Sequence, residues 1–102
     1  MFVNINDTSL DITASSTPTA YALPAQMVRI RVLNKAGDSV VLKLETSSTS
    51  TLTAPVVGTK YSGTTIADGS TEVFDVNPNT THISVYSASG TGTVTVQSHG
   101  GE

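Results

Sequence analysis

The sequence predicts an all-β protein: an antiparallel β-sandwich or jelly-roll-like barrel of about eight short strands. Three observations predict it. Apolar residues recur with a period of two along most of the chain, the spacing that puts one strand face on a core and the other in solvent. Turn formers interrupt these runs at short intervals. No stretch carries an apolar stripe at the 3.6-residue spacing of an amphipathic helix. A chain of 102 residues has room for one core.

Taken in order, Phe2–Ile5, Leu10–Thr13 and Thr19–Leu23 read as short strands. Pro18 and Pro24 bound the third, at strand ends where a missing N–H is tolerated. Residues 1–17 read as an N-terminal strand or arm, 18–98 as a single β-sandwich domain and 99–102 as a flexible tail. In Met27–Leu33 (MVRIRVL), Val28, Ile30 and Val32 share one face and Arg29 and Arg31 the other. In Ser39–Glu45 (SVVLKLE), Val40, Leu42 and Leu44 form the apolar face. The turn formers of Asn34–Asp38 (NKAGD) lie between them. The simplest pairing is a hairpin with Val32 opposite Val40, Ile30 opposite Leu42 and Val28 opposite Leu44, which keeps all six on one face. It also sets Arg29 against Lys43, a mild repulsion.

The Ser/Thr-rich stretch 46–66 reads as a long loop holding a short strand or two, near Leu52–Val57 and Lys60–Ile66. Three clearer strands follow. Thr71–Val76 places Phe74 and Val76 on one face, His82–Tyr86 places Ile83 and Val85, and Thr93–Gln97 places Val94 and Val96. Two mutually consistent registers, Val76 opposite Ile83 and Ile83 opposite Val96, make these an expected three-stranded meander.

Composition narrows the function classes. Ser and Thr supply 30 of the 102 residues, while charged residues are only 13% and the net charge is -3. Disordered chains pair low hydrophobicity with high charge, so this chain should fold, on a modest core that association can reinforce. With no cysteine there is no disulfide, no thiolate nucleophile and no Cys-based zinc site. Five basic against eight acidic residues give no footprint for nucleic acid. No apolar run approaches the roughly 20 residues of a membrane span. The opening MFVNINDTSLDIT lacks the basic-then-apolar order of a secretory leader.

Candidate site residues are few. His82 lies on the polar face of its strand, and the other histidine, His99, sits in the tail SHGGE. Two such residues make a poor metal set, so His82 reads as a surface or contact residue. The carboxylates, Asp7, Asp11, Asp38, Glu45, Asp68, Glu72, Asp75 and Glu102, are scattered and show no calcium-loop spacing. Asp38 and Asp68 sit in turns, where Asp bonds nearby backbone. Asn6-Asp7-Thr8 and Asn79-Thr80-Thr81 match a glycosylation acceptor pattern that a Thr-rich chain produces by chance. Tyr61 and Tyr86 would form only a thin stacking platform for a sugar. The residues thus point to no catalytic, cofactor or metal site. Phe2, Val3, Ile5, Tyr61, His82 and Tyr86 are the candidates for a contact surface.

One segment has a distinctive run of strand and turn motifs. Residues 66–96, IADGSTEVFDVNPNTTHISVYSASGTGTVTV, resemble a family of small tailed-bacteriophage virion proteins. The shared pattern runs through Ala25–Asn34, Ser39–Leu44, Gly69–Phe74 (GSTEVF), Thr81–Ile83 (THI), Ser89–Val96 (SGTGTVTV) and Gly100–Gly101. It covers residues 20 to 102, and its motifs are strands and turns, so it transfers no functional residue. The resemblance implies a head decoration (cement) protein: a β-sandwich on the outside of the capsid, made in the host cytoplasm, with no cofactor. Its partners would be the major capsid protein and itself, as a homo-oligomer, a trimer above all. Other virion roles (tail, head-completion or fibre-associated) and a carbohydrate- or host-surface-binding β-module are the alternatives.

Overall fold

Eight strands run through the residues that the structure, a computed structural model, describes: 9–23, 28–60 and 62–98. They are β1 (Ser9–Thr13), β2 (Thr19–Ala22), β3 (Arg29–Lys35), β4 (Val40–Glu45), β5 (Thr64–Ile66), β6 (Thr71–Asp75), β7 (His82–Tyr86) and β8 (Thr93–Ser98). They form two four-stranded antiparallel sheets. Sheet A has the order β1-β8-β3-β6 and sheet B the order β2-β7-β4-β5.

The pairing is nested: β1 with β8, β2 with β7, β3 with β6, β4 with β5. Paired residue numbers add to 106 in the first and last of these (9 with 97, 40 with 66) and to 104 in the middle two (19 with 85, 29 with 75). So constant a sum means one long hairpin, bent at the loop 46–63 and rolled up until β3 meets β8 and β4 meets β7. That is the jelly roll. Rolling buries the apolar faces against each other: Ile12, Ile30, Val32, Val94 and Val96 from sheet A meet Val40, Leu42, Ile66, Ile83 and Val85 from sheet B.

The expected hairpin and meander are therefore both corrected. β3 and β4 lie in different sheets, so Val32 pairs with Val96 and Glu72, not with Val40. Ile83 pairs with Leu44 and Tyr21, and Phe74 with Ile30. The physical reason is that alternation marks the buried face, not the partner strand. Two strands facing each other across a sandwich carry the same pattern as two strands side by side. The charge conflict also disappears: Arg29 stands opposite Asp75 and its Nε donates to Oδ1 at 3.1 Å.

Other boundaries shift. Ser9–Thr13, inside the stretch read as an arm, is an edge strand of sheet A with Ile12 in the core. Leu52–Val57 forms no strand, and of the described residues in 60–66 Thr64–Ile66 do. The expected strand Phe2–Ile5 and the tail 99–102 lie outside the described residues.

What turns β3 away from β4 is Asn34, an inward-facing and fully buried residue. Its Nδ2 donates to the carbonyls of Asp38 (2.8 Å) and Ile66 (2.9 Å), and its Oδ1 accepts from the Ala36 amide (2.9 Å). Its own amide donates to the Ser70 carbonyl and its carbonyl accepts from the Gly69 amide. One residue thus ties three segments: its side chain holds the β3–β4 turn and the end of β5, and its backbone holds the β5–β6 turn. The Gly37 amide, donating to Asp68 Oδ1 at 2.9 Å, adds a second tie between the two turns. Beside them, Gly92 presses on the same turn: an added Cβ would lie 2.4 Å from the Ala36 Cα, and its φ is 93°.

Two outcomes are expected. Asn34→Asp puts an acceptor-only carboxylate against two carbonyls and should lower unfolding free energy by on the order of 3 kcal/mol or more in urea titration. A loss under about 1 kcal/mol, the net value of one ordinary hydrogen bond, would deny the node its role. Gly92→Ala should cost on the order of 3 kcal/mol, because strain and a backbone clash add. A thermal melt within a degree or two of wild type would contradict that packing.

Candidate functional site

Two of the candidates, His82 and Tyr86, lie on the outer face of sheet B. Alternation turns Val41, Lys43 and Glu45 of β4, and His82, Ser84 and Tyr86 of β7, away from the core. Cross-strand pairs are Val41 with Tyr86, Lys43 with Ser84 and Glu45 with His82. Such a face should be wet. Instead Val41, Glu45 and Ser84 are buried, Ser84 completely.

The loop 46–63 is the cause, because it folds back over this face. Leu52, the large apolar residue in its Ser/Thr-rich half, is 4% exposed. A Cβ on Gly63 would meet the Val41 side chain at 2.9 Å and that of Leu52 at 3.0 Å, so only a glycine fits between them there. Beside this apolar contact lies a polar one. The Glu45 carboxylate accepts from the Thr51 amide (2.9 Å), the Thr51 hydroxyl (2.8 Å) and the Ser84 hydroxyl (2.6 Å). Ser84 Oγ also lies 2.7 Å from Ser50 Oγ. A hydroxyl has one proton, so with Ser84 donating to Glu45, Ser50 is the donor to Ser84.

Burial alone would raise the Glu45 pKa. The hydrogen bonds from Ser84 and from the amide and hydroxyl of Thr51, with the charge of Lys43, outweigh it and hold the carboxyl below its ordinary 4.5. A hydroxyl on a carboxylate resembles a nucleophile beside a base. The geometry argues for a clamp instead. Ser84 is inaccessible, its second position is taken by Ser50, and a carboxylate with a lowered pKa and three donors is a weak proton acceptor.

The remaining candidates disperse. His82 is half-buried at the start of β7, its Nδ1 2.7 Å from the Thr81 hydroxyl. Tyr86 is partly buried at the other end of the strand, about 13 Å away by strand rise. Phe2, Val3, Ile5 and Tyr61 lie outside the described residues. Asp38 Oδ1 accepts from the Ser39 amide and Asp11 from the Thr95 hydroxyl, while Asp75 holds Arg29. Among the described residues no group of three His, Asp or Glu side chains could hold a metal ion.

Fold and clamps together define a class, a jelly-roll β-sandwich with a loop layered on one sheet. No protein-family model matches the chain, and no curated protein matches its sequence. Among solved structures it is similar to a chain of the Bacillus endospore appendages, described as "a novel family of disulfide-linked pili", at 16% identity and a TM-score of 0.49. The match covers 92% of this chain and 85% of that one.

The clamp generates a pH signature. Glu45 is bound most strongly as the anion, so its stabilisation is complete above its unfolded-state pKa and is lost as pH falls through the lower folded-state value. Glu45→Gln should be less stable than wild type near neutrality by about 2 kcal/mol. The gap should close as pH drops below 4.5. A gap that persists unchanged through the acid range in denaturant titrations would contradict the assignment.

Proposed function

We propose that this protein is a bacteriophage capsid decoration protein: it binds the outside of the assembled head, stabilises it and performs no catalysis. The resemblance of residues 66–96 to tailed-phage virion proteins supports this reading. The observation in the fold that carries it is the outer face of sheet A. The opposite sheet is covered by the chain's own loop, whereas among the described residues no loop is layered on this one. It presents Ser9, Asp11, Thr13, Thr71, Thr93, Thr95 and Gln97, with Lys35 and the Arg29–Asp75 pair at its ends, around a centre formed by Leu33, Arg31 and Val73. Val73 is 48% exposed.

A few apolar or Arg groups inside a hydroxyl- and amide-bearing rim form the common make-up of a hydrated protein interface. Weak contacts of this kind become strong when copies repeat over a lattice. Anything that binds only the assembled shell raises its stability by linkage. The buried polar groups fit the same role, since Asn34 and Glu45 keep the sandwich and its loop rigid.

The test is addition of the purified protein to undecorated shells. Saturable binding at a fixed ratio to the major capsid protein, with a higher shell disruption temperature, is the expected result. Val73→Asp with Arg31→Glu should weaken binding at least about tenfold, the effect of losing one good contact. No binding to shells would remove the reading; a few copies at one vertex or on the tail would favour another virion role, and glycan binding by the isolated protein a carbohydrate module.

A further inference from the structure

Residues 46–60 cover the outer face of sheet B, yet they form no strand. Among the described residues their backbone makes no backbone–backbone bond to either sheet; the Thr59 amide donates to the Val56 carbonyl inside the segment, at 3.0 Å. The Thr49 and Leu52 amides turn back on the hydroxyls of Ser47 and Ser50. The hydrogen bonds that leave the segment for the sheets come from the Thr51 amide, the Thr51 hydroxyl and the Ser50 hydroxyl, and all end on Glu45 or Ser84. Ser84 in turn donates to Glu45, so the polar attachment of the covering layer gathers on one carboxylate. The apolar attachment is Leu52, packed with Val41 beside Gly63.

We propose that residues 46–60 are an acid-released lid: protonation of Glu45 frees them from sheet B while the jelly roll stays folded, and uncovers Val41, Ser84 and Leu52. Three groups donate to Glu45, an arrangement that suits a carboxylate. A carboxylic acid must itself donate a proton, and it accepts the remaining bonds more weakly. The other charges around it do not open the lid. Lys43 stands two residues away on β4, and His82 faces Glu45 from β7 and gains positive charge in acid. Both favour the anion, so release waits for the carboxyl itself. The segment contributes Lys60 as its one charge, and that residue is exposed. The jelly roll survives release because the β4–β5 and β4–β7 ladders do not use the segment, and the Asn34 side chain that ties the turns does not titrate in this range. The anion holds the lid, so closure is complete above the ordinary carboxylate pKa of 4.5 and is lost as pH falls through the lower value of the closed state. The inference does not depend on the capsid reading.

Amide exchange by NMR on the full chain without denaturant, from neutrality down to about pH 3 and corrected for intrinsic rates, tests it. The Thr51 amide should lose protection at least about tenfold below the ordinary carboxylate range, since a charge-assisted hydrogen bond is roughly twice as strong as a neutral one. The methyl NOE between Leu52 and Val41 should fade in parallel, which the loss of one hydrogen bond under a closed lid would not cause. The Val32 and Val96 amides should stay protected. Glu45→Gln should show low Thr51 protection already at neutrality, with no acid step. Leu52→Ala leaves the carboxylate intact, so it should lower Thr51 protection at every pH and keep the step. Thr51 protection that is level through the acid range, Thr51 and core amides lost together, a Leu52–Val41 NOE that persists in acid, or an acid step retained in Glu45→Gln would each overturn the proposal.

Discussion

Two pieces of backbone far apart in sequence end at the same side-chain amide. Asn34 gives both Nδ2 hydrogens to carbonyls in the β3–β4 turn and at the end of β5, and takes an amide from the first of these on its Oδ1. It is fully buried, where each of those groups would otherwise be an unsatisfied donor or acceptor. The jelly roll depends on this constraint because a rolled hairpin needs β3 and β4 to part company at their shared turn. β3 must stay in sheet A while β4 crosses to sheet B. A turn free to relax would allow the simpler pairing of neighbours.

The second constraint works on the outside. Loop 46–63 is the bend of the rolled hairpin and would ordinarily be its least ordered part. Leu52 against Val41, and Glu45 against Thr51 and Ser84, hold it to sheet B. The result is an asymmetric particle. One sheet is covered by its own loop, and among the described residues the other is not. The buried polar groups are the ones that a search for chemistry would pick first, and two of them, Asn34 and Glu45, are engaged in holding backbone.

Strand positions were legible in the sequence to within a residue or two where alternation was strict, as in His82–Tyr86. Their partners were not. Val32 and Val40 do share a core, but across the sandwich, and period-two patterning is blind to that difference. Asn34 reads as a turn former because a short amide in NKAGD has that local use; its long-range bond to Ile66 depends on tertiary placement. The covered face left a faint trace. Val41 breaks the alternation of SVVLKLE on the side expected to be wet, and Leu52 stands as a large apolar residue among serines and threonines. Both are the signature of a third layer. His82 and Tyr86 share a face of β7 and stand at opposite ends of it.

The Asn34 node joins the two sheets as one cooperative unit. Native-state amide hydrogen exchange under increasing urea addresses it most directly. The Ala36 and Gly69 amides lie in turns, where exchange is ordinarily fast, yet both are bound to Asn34. The account predicts that they exchange only through global unfolding, merging with the core amides of Val32 and Val96. Exchange of either one through a low-energy local opening, while those core amides stay protected, would contradict it.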